Sequence, residues 1–340
     1  MSYEDIEYRK GDATGSELVE PYRVGILPIP GFALMSYACT VEPLRAANLL
    51  SGKHLYEVTH FSTAGAVPSS GAAAVAHCAD VGAAVDLDLL LVVAGGDPFA
   101  FDDSDTIAWL RALDAQGVHI GGVSGGSVIL AKAGLMEGRR MTVHWEHAAA
   151  LAERHPGILI ERRLFVMDRD RVTCGGGTAP LDLMHALITN QWGSVFARLV
   201  SDWFLHTDIR AAADPQRAGL PERLGSHSPH LVEAVSAMEN HIADPLSLSQ
   251  LALVVGITKR HLNRLFNDSL NQSAMSYYRD LRLDVARRLI KDTPRSVADV
   301  AEVTGFATAG HFSNAYKKCF GVRPQADRRR PRTAQIPQEN

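Results

Sequence analysis

Nearly uninterrupted apolar runs recur through the first two thirds of the chain and alternate with stretches of helical periodicity. Four of these runs have the length of strands and cover residues 24–29, 56–62, 89–94 and 118–123. Apolar runs separated by helices are typical of a parallel sheet that is covered on both faces. The pattern therefore predicts an α/β domain whose parallel sheet is sandwiched by helices.

The last third of the chain has a different pattern, in which a short apolar helix, a glycine and a threonine occur together twice. The first copy covers residues 251–262 and the second covers residues 300–312. Gly256 and Gly305 suit the positive φ at which a helix ends, and the threonine after each glycine suits the cap of a second helix. Each copy is therefore predicted to be a helix-turn-helix, and the second has one more residue between its glycine and its apolar anchor.

Helical spacing of apolar residues over residues 277–290 predicts a long helix between the two copies. The C-terminal part is thus predicted to be an all-α domain with two helix-turn-helix units. Residues 230–330 resemble the paired helix-turn-helix domain of AraC/XylS-type transcription regulators, and the resemblance extends through residues 311–324.

This part departs from the family pattern at three places. Asn271 and Ala274 stand where the family commonly has glycine and proline, and Ala326-Asp327 stands where the family has an aromatic residue.

Charge is divided unevenly along the chain. Residues 228–340 contain 16 Lys and Arg against 11 Asp and Glu, a net charge of +5, whereas the rest contains 18 against 27, a net of −9. A basic surface is attracted to phosphates, while an acidic body is repelled from a duplex. The distribution is consistent with DNA binding by the C-terminal end, although charge alone favours a domain that is merely soluble.

The candidate base-reading side chains share one face of the second helix of each unit: Arg260, Asn263, Arg264, His311 and Asn314. Arginine can donate two hydrogen bonds to guanine, and asparagine can pair with adenine. The candidate phosphate contacts are Lys259, Lys317 and Lys318. Because Ala309 and Gly310 have almost no reach, the first unit is predicted to supply most of the specificity.

Glycine-rich segments follow the predicted strands, where parallel sheets bind ligands. Residues 122–126 form a G-x-S-x-G pattern between a strand and a helix. This pattern is typical of the nucleophile elbow of serine hydrolases, which exposes the serine hydroxyl, here that of Ser124. His144 and His147 are the candidate bases, and the pattern keeps an enzymatic interpretation open.

Residues 22–205 resemble the class I glutamine-amidotransferase-like domain, related to intracellular peptidases of the PfpI type, that precedes the AraC-type domain in one group of regulators. The segments that carry the resemblance are residues 41–48, 121–126, 134–146 and 174–182. The resemblance implies a flavodoxin-like sheet.

The resemblance also bears on catalysis. Enzymes of that superfamily usually have cysteine at the elbow, and the peptidases have histidine after it, whereas this chain has Ser124 and Gly125. Met35-Ser36 occupies the loop in which related hydratases place an acid. These departures imply that the domain is not an enzyme; the alternative is a serine hydrolase or amidase, with Ser124 as nucleophile, fused to a DNA-binding domain.

Regulators of this architecture sense nitrogen-containing metabolites such as arginine, carnitine or glycine betaine, and the resemblance implies a similar effector here. The candidate ligand-binding residues are Glu42, Asp97, Phe99, Ser124, Gly125, His144 and Trp145. Aromatic rings, Tyr37 among them, can face an alkylated ammonium group, carboxylates can face its charge, and backbone N–H groups after the elbow can bind a carboxylate. Two alternatives stay open: Phe99 and Tyr37 as core residues, and Glu42 as a partner of Arg45.

No cofactor or metal is predicted. Residues 144–147 contain two histidines and a glutamate but lack the H-E-x-x-H spacing of a zinc helix. The four cysteines are scattered and no apolar run reaches membrane-span length, which favours reduced thiols in a cytoplasm.

The predicted organisation has five parts: a disordered tail (1–20), a ligand-sensing and dimerisation domain (21–207), a linker (208–229), the DNA-binding domain (230–330) and a second tail (331–340). The predicted function is a bacterial, cytoplasmic, nucleoid-associated transcription regulator that binds an operator as a homodimer. Activation through RNA polymerase is what the family implies, and repression is equally compatible with the residues. A constitutive DNA-binding protein with a purely structural first domain is a further alternative.

Overall fold

The computed structural model describes residues 20–328, except residues 64, 77, 218 and 294. The strands are β1 (Tyr22–Pro28), β2 (Tyr56–Ser62), β3 (Val67–Pro68), β4 (Ala74–Val75), β5 (Ala79–Asp80), β6 (Leu89–Ala94), β7 (His119–Ser124), β8 (Arg140–Met141), β9 (Leu159–Ile160), β10 (Phe165–Asp168) and β11 (Arg171–Cys174). Both predicted tails lie outside the described residues, apart from Glu20.

The helices are α1 (Leu34–Ser51), α2 (Ser104–Ala115), α3 (Gly126–Lys132), α4 (Ala148–Arg154), α5 (Ala179–Trp192), α6 (Ser194–Trp203), α7 (Leu220–Leu224), α8 (Pro229–Asn240), α9 (Leu248–Val254), α10 (Lys259–Leu270), α11 (Ala274–Asp292), α12 (Val297–Val303), α13 (Ala309–Phe320) and α14 (Pro324–Arg328), with a 3-10 turn at Pro98–Ala100. Among these helices, none is both long and apolar enough to cross a membrane.

Seven strands form one sheet in the order β10-β11-β7-β6-β1-β2-β5. All neighbours are parallel except β10, which runs antiparallel to β11 at the edge. Each of the four predicted strands is present, displaced by two residues at most. The predicted parallel sheet between helices is confirmed, and the antiparallel edge strand was not foreseen.

Two apolar cores cover the two faces of this sheet. One contains Leu44 of α1, Leu183 of α5 and Ala197 of α6, and the other contains Leu110 of α2 and Ile129 of α3. Strand β6 is buried along its whole length, since it contributes alternate side chains to both cores. The sheet is therefore a rigid platform for the loops at its carboxyl edge.

The C-terminal region has one apolar core for each helix-turn-helix unit. Helix α11 contributes Ala274 and Tyr278 to the first core and Leu283 and Ile290 to the second. The predicted connecting helix is thus a shared wall between the units. The all-α domain with two helix-turn-helix units is confirmed.

Both turns have the predicted geometry, in which a glycine with positive φ is followed by a threonine cap. Gly256 has φ 71° and Gly305 has φ 72°, and the side chains of Thr258 and Thr308 cap the helices that follow. Phe306 directly follows its glycine, as an apolar residue also does in the first unit, and its buried ring packs 5.2 Å from that of Phe312. The extra residue of the longer turn is the exposed Ala307, which lies between Phe306 and the cap Thr308.

Two departures from the family pattern have a local explanation. Asn271 ends α10 with φ 54°, and asparagine is the residue that best replaces glycine in that conformation. Ala274 keeps an N–H group that a proline would lack, and this group donates to Asn263 Oδ1 at 3.2 Å. The first unit therefore replaces a proline by a side-chain hydrogen bond.

The third departure, at Ala326-Asp327, places a buried carboxylate in the second unit. Asp327 accepts hydrogen bonds from Tyr316 Oη and Arg287 Nε, both at 2.8 Å, and Lys291 Nζ lies 3.6 Å away. Burial by itself would raise the pKa of Asp327, but these hydrogen bonds and charges outweigh it, so the pKa lies below its ordinary value. The carboxylate ties α14 to α11 and α13.

We expect Asp327→Asn to lower the free energy of unfolding by about 1 to 3 kcal/mol at neutral pH, because charged hydrogen bonds are lost. A carboxyl whose pKa is lower in the folded chain stabilises above its unfolded pKa of about 3.9, and this contribution disappears as the pH falls through the folded pKa. The difference in Tm from wild type should therefore shrink below about pH 4. Asp268→Asn, at an exposed carboxylate, is the control, and a difference that persists unchanged in acid would contradict the charge argument.

Candidate ligand site and DNA-binding surface

The sheet has its topological switch point between β1 and β6. From β1 the chain proceeds to β2 and β5 on one side, and from β6 to β7 and β11 on the other. The loops after β1 and β6 touch, since a Cβ on Gly95 would lie 2.7 Å from the backbone nitrogen of Ala33. Open parallel sheets bind ligands outside the carboxyl ends of their strands at such a point.

Ser124 ends β7 beside this switch point and has φ 57°. Positive φ is rare for a residue with a Cβ, because it costs conformational energy. The surrounding structure must therefore hold Ser124 in this conformation. Close packing does so: a Cβ on Gly122 would lie 2.5 Å from the nitrogen of Ser127, and one on Gly126 would lie 1.9 Å from the carbonyl oxygen of Val92. The G-x-S-x-G pattern therefore forms a strained elbow.

Two neighbours of Ser124 were missed in the sequence. A Cβ on Gly176, which follows β11, would lie 2.8 Å from Ser124 Oγ and 3.0 Å from Ser36 Oγ. Gly177 N–H donates to Ser36 Oγ at 2.8 Å, so the start of α1 and the loop after β11 meet at the elbow. The glycine run at 175–177 after a strand was the available signal for this loop.

The predicted loop residues Asp97 and Phe99 lie on the other side of the elbow. A Cβ on Gly125 would lie 3.0 Å from Pro98, whose 3-10 turn is capped by Asp97 through the N–H of Phe99. The Gly125 N–H itself donates to Ala94 O at 3.1 Å. The sheet therefore already uses this N–H group, and the predicted binding of a carboxylate by N–H groups after Ser124 would depend on those beyond Gly125.

The rings of Phe99, His147, His144 and Trp145 form a row. The ring of Phe99 lies edge-on to His147 at 6.0 Å, His147 lies 5.9 Å from His144, and His144 lies 5.3 Å from Trp145. Phe99 is partly buried against the core that contains α2 and α3, and the guanidinium of Arg154 lies 4.4 Å above it. Tyr37 donates to or accepts from His60 at 2.8 Å and packs on Phe32.

Trp145 is 39% exposed, but its ring already has protein cations nearby. The guanidinium of Arg217 lies 4.5 Å from the ring centroid, and that of Arg288 lies 6.0 Å from it. An effector's ammonium group would have to compete with them for the ring face.

The ligand atoms of His144, Glu146 and His147 lie within 4.8 Å of one another. The three side chains therefore form a cluster of a size that could hold a metal ion, although their spacing in the sequence predicted none.

Glu42 pairs with Arg45 at 2.6 Å, which is the alternative that the helical spacing offered. It lies six residues beyond Ser36 on α1, about 9 Å along the helix axis. Its role at the site stays a prediction with a competing structural partner.

Two cysteines lie beneath the elbow region and offer no replacement nucleophile. Burial raises the pKa of Cys174 to about 12, and burial together with Asp182 raises the pKa of Cys39. Thiols of this kind remain protonated at neutral pH and react poorly.

The second helix of each unit exposes most of the predicted DNA contacts. The exposed members are Lys259, Arg260, Arg264, His311, Asn314, Lys317 and Lys318. Asn263 is partly buried, and its side-chain oxygen accepts the Ala274 N–H, so base reading by Asn263 competes with a structural role. Asn267, three residues after Arg264, is exposed on the same face and was missed, although helical spacing indicates it.

The first part of the predicted linker packs on the α/β domain. Asp182 accepts hydrogen bonds from Arg210 Nε and lies 2.8 Å from His206 Nε2. Gln216 Nε2 lies within 2.9 Å of Thr142 Oγ1 and Val143 O. Helix α7, by contrast, contributes Leu224 to the first helix-turn-helix core.

Comparison with known proteins supports the assignment of both domains. Residues 25–190 match the DJ-1/PfpI family, and residues 251–330 match a helix-turn-helix domain family. The HTH-type transcriptional regulator GlxA of Rhizobium meliloti is 42% identical over 320 residues, which cover 94% of this chain and 99% of GlxA. GbdR of Pseudomonas aeruginosa, also an HTH-type transcriptional regulator, is 38% identical over 309 residues, 91% of this chain and 84% of GbdR.

A solved structure extends the comparison. The crystal structure of an AraC family transcriptional regulator from Pseudomonas putida is 28% identical with a TM-score of 0.50, and covers 54% of this chain and 100% of its own. The chain belongs to the AraC-type family of HTH transcriptional regulators that carry an N-terminal DJ-1/PfpI domain. It is a DNA-binding regulator of transcription, as the resemblance implied.

Proposed function

We propose that this regulator senses a small nitrogen-containing metabolite of the amino acid, betaine or carnitine class at the carboxyl edge of its sheet. The observation that carries the proposal is the strained elbow of Ser124, which packs beside Ser36 and Gly176 next to the switch point. A residue with a Cβ that is held at positive φ is a candidate for a functional position. The family resemblance supports the class of metabolite.

The regulator acts, in this proposal, as a homodimer in the cytoplasm, where each chain reads one half-site of an operator on the nucleoid. Val195, Trp203 and Leu205 are 79%, 49% and 87% exposed on or just after α6, and a second copy of the chain would cover them. Size-exclusion chromatography with light scattering measures the mass of the particle in solution and so tests whether the chain is a dimer. The metabolite biases the dimer only if it binds the two arrangements with different affinity, and the favoured arrangement activates through RNA polymerase.

We expect a metabolite of this class to raise the Tm of the wild-type chain, since a ligand at 100 times its Kd stabilises by about 2.7 kcal/mol. Ser124→Asn tolerates positive φ but fills the space beside Gly176, and should abolish the shift. Arg169→Asn, at another position with positive φ, should keep it. A screen of amino acids, glycine betaine and L-carnitine that leaves the Tm of wild type unchanged, or a full shift in Ser124→Asn, would count against the site.

The proposal includes no catalysis, because the elbow carries serine followed by glycine and the nearby thiols stay protonated. The geometry of Ser124 favours one alternative, a serine hydrolase. A fluorophosphonate probe tests it: we expect no labelling, whereas rapid labelling that Ser124→Ala removes would establish the hydrolase.

A further inference from the structure

Residues 142–154 form a segment that contacts both halves of the chain. On one side, the Trp145 N–H donates to Gln216 Oε1 at 2.8 Å, and Gln216 Nε2 donates to Thr142 and Val143. Gln216 is held there, since a Cβ on Gly175 would lie 2.6 Å from its side chain. The segment is therefore fastened to the stretch of chain that leads into the DNA-binding half.

Two further contacts reach the second helix-turn-helix unit directly. Arg288 of α11 faces the ring of Trp145, and Glu153 of α4 forms an ion pair with Arg295, 142 residues away. Both partners of this pair are partly buried, with 25% and 34% of their side chains exposed. Arg295 immediately precedes Ser296, the cap of α12, so the pair holds the start of the second unit.

The same segment reaches the candidate ligand site. His144 packs beside Trp145, and His147 packs against Phe99 of the loop after β6, next to the elbow. A shift of this loop would displace the rings in the row and hence Trp145. His147, His144 and Trp145 thus connect the candidate ligand site to Arg288 of α11. Glu153 of the same segment pairs with Arg295 at the start of the second unit.

We propose that residues 142–154 dock the second helix-turn-helix unit on the α/β domain, and that occupancy of the candidate site releases it. The release step rests on the proposed function; the docking step does not. Docking holds the part of the chain before residue 228, with its net charge of −9, beside a DNA-binding unit. Its repulsion from phosphates lowers the affinity for DNA while the unit is docked.

The test reverses one charge on the α/β side. Glu153→Arg places like charges together at Arg295, and breaking a pair of this exposure shifts an equilibrium by about 2- to 5-fold. Glu137→Arg makes the same charge change at an exposed position outside the segment and is the control. Glu153→Arg combined with Arg295→Glu restores the pair with its charges exchanged.

Two measurements are made on the full chain without metabolite. The first is amide hydrogen exchange across α4. The second is the affinity for a DNA duplex that was selected from random sequences by its binding to the wild-type protein. Glu153→Arg should speed the exchange and tighten DNA binding about 2- to 5-fold relative to Glu137→Arg. The exchanged pair should return the hydrogen exchange to the wild-type rate. Equal exchange and equal DNA affinity in Glu153→Arg and Glu137→Arg would overturn the docking role.

A metabolite arm separates this inference from the proposed function. Glycine betaine, L-carnitine and L-arginine are added to the wild type, and a compound that raises the Tm should also speed exchange across α4. A compound that raises the Tm of wild type but not of Ser124→Asn, and that leaves the exchange across α4 unchanged, would overturn the release step. A screen in which none of the three raises the Tm counts against the proposed effector class, while the charge-reversal arm still decides the docking.

Discussion

Gly126→Ala should strongly destabilise the α/β domain. The added Cβ would lie 1.9 Å from the carbonyl oxygen of Val92 in the middle of β6, and neither backbone can move without breaking the sheet. We expect a loss on the order of 3 kcal/mol or more, a large share of the 5 to 15 kcal/mol that stabilises a typical domain. Urea unfolding followed by circular dichroism measures it.

Gly310→Ala is the matched control, because a Cβ at that position has nothing within 4 Å. Gly310 lies in α13, where alanine is favoured over glycine by roughly 0.5 to 1 kcal/mol, so this variant should be slightly more stable than wild type. A Gly126→Ala chain with an unchanged urea midpoint would show that the close approach of α3 to β6 is not required.

Arg264→Ala should reduce the affinity for the selected operator by about 5- to 150-fold, the equivalent of 1 to 3 kcal/mol, while leaving the affinity for scrambled duplexes nearly unchanged. The reason is that Arg264 is exposed on the face of α10 that presents Arg260, and a bidentate arginine contact distinguishes guanine from other bases. Fluorescence anisotropy on both duplexes at one salt concentration measures the ratio.

Lys317→Ala provides the comparison, since a phosphate contact should weaken both duplexes alike and reduce the salt dependence by about one ion. An equal loss on both duplexes in Arg264→Ala would contradict base reading by this side chain.

Departures from the family pattern show how local sequence and packing combine. Asn271 can be recognised in the sequence as a substitute for glycine because it tolerates the same φ. The accompanying bond from Ala274 to Asn263 could not be recognised, since it depends on how α10 and α11 pack. That bond changes the interpretation of Asn263 from a base-reading residue toward a structural one.

The candidate site shows the same division. The elbow at Ser124 was visible because its glycines and serine are consecutive. Ser36 and Gly177 are 141 residues apart, and the hydrogen bond between them exists only because α1 begins and β11 ends at the same edge of the sheet. Trp145 was predicted to face an effector, and only the structure shows that the guanidinium of Arg217 lies at its ring, where an effector would compete with it.

Four strands of the sheet, the helix between the two units, the paired helix-turn-helix units and the Ser124 elbow could be predicted from the sequence, because each depends on residues a few positions apart and on local hydrophobic patterns. The neighbours of the elbow, the cations at Trp145 and the pair of Glu153 with Arg295 came only from the folded chain. Such contacts join residues far apart in sequence, and their positions result from the packing of whole elements, which no local pattern encodes.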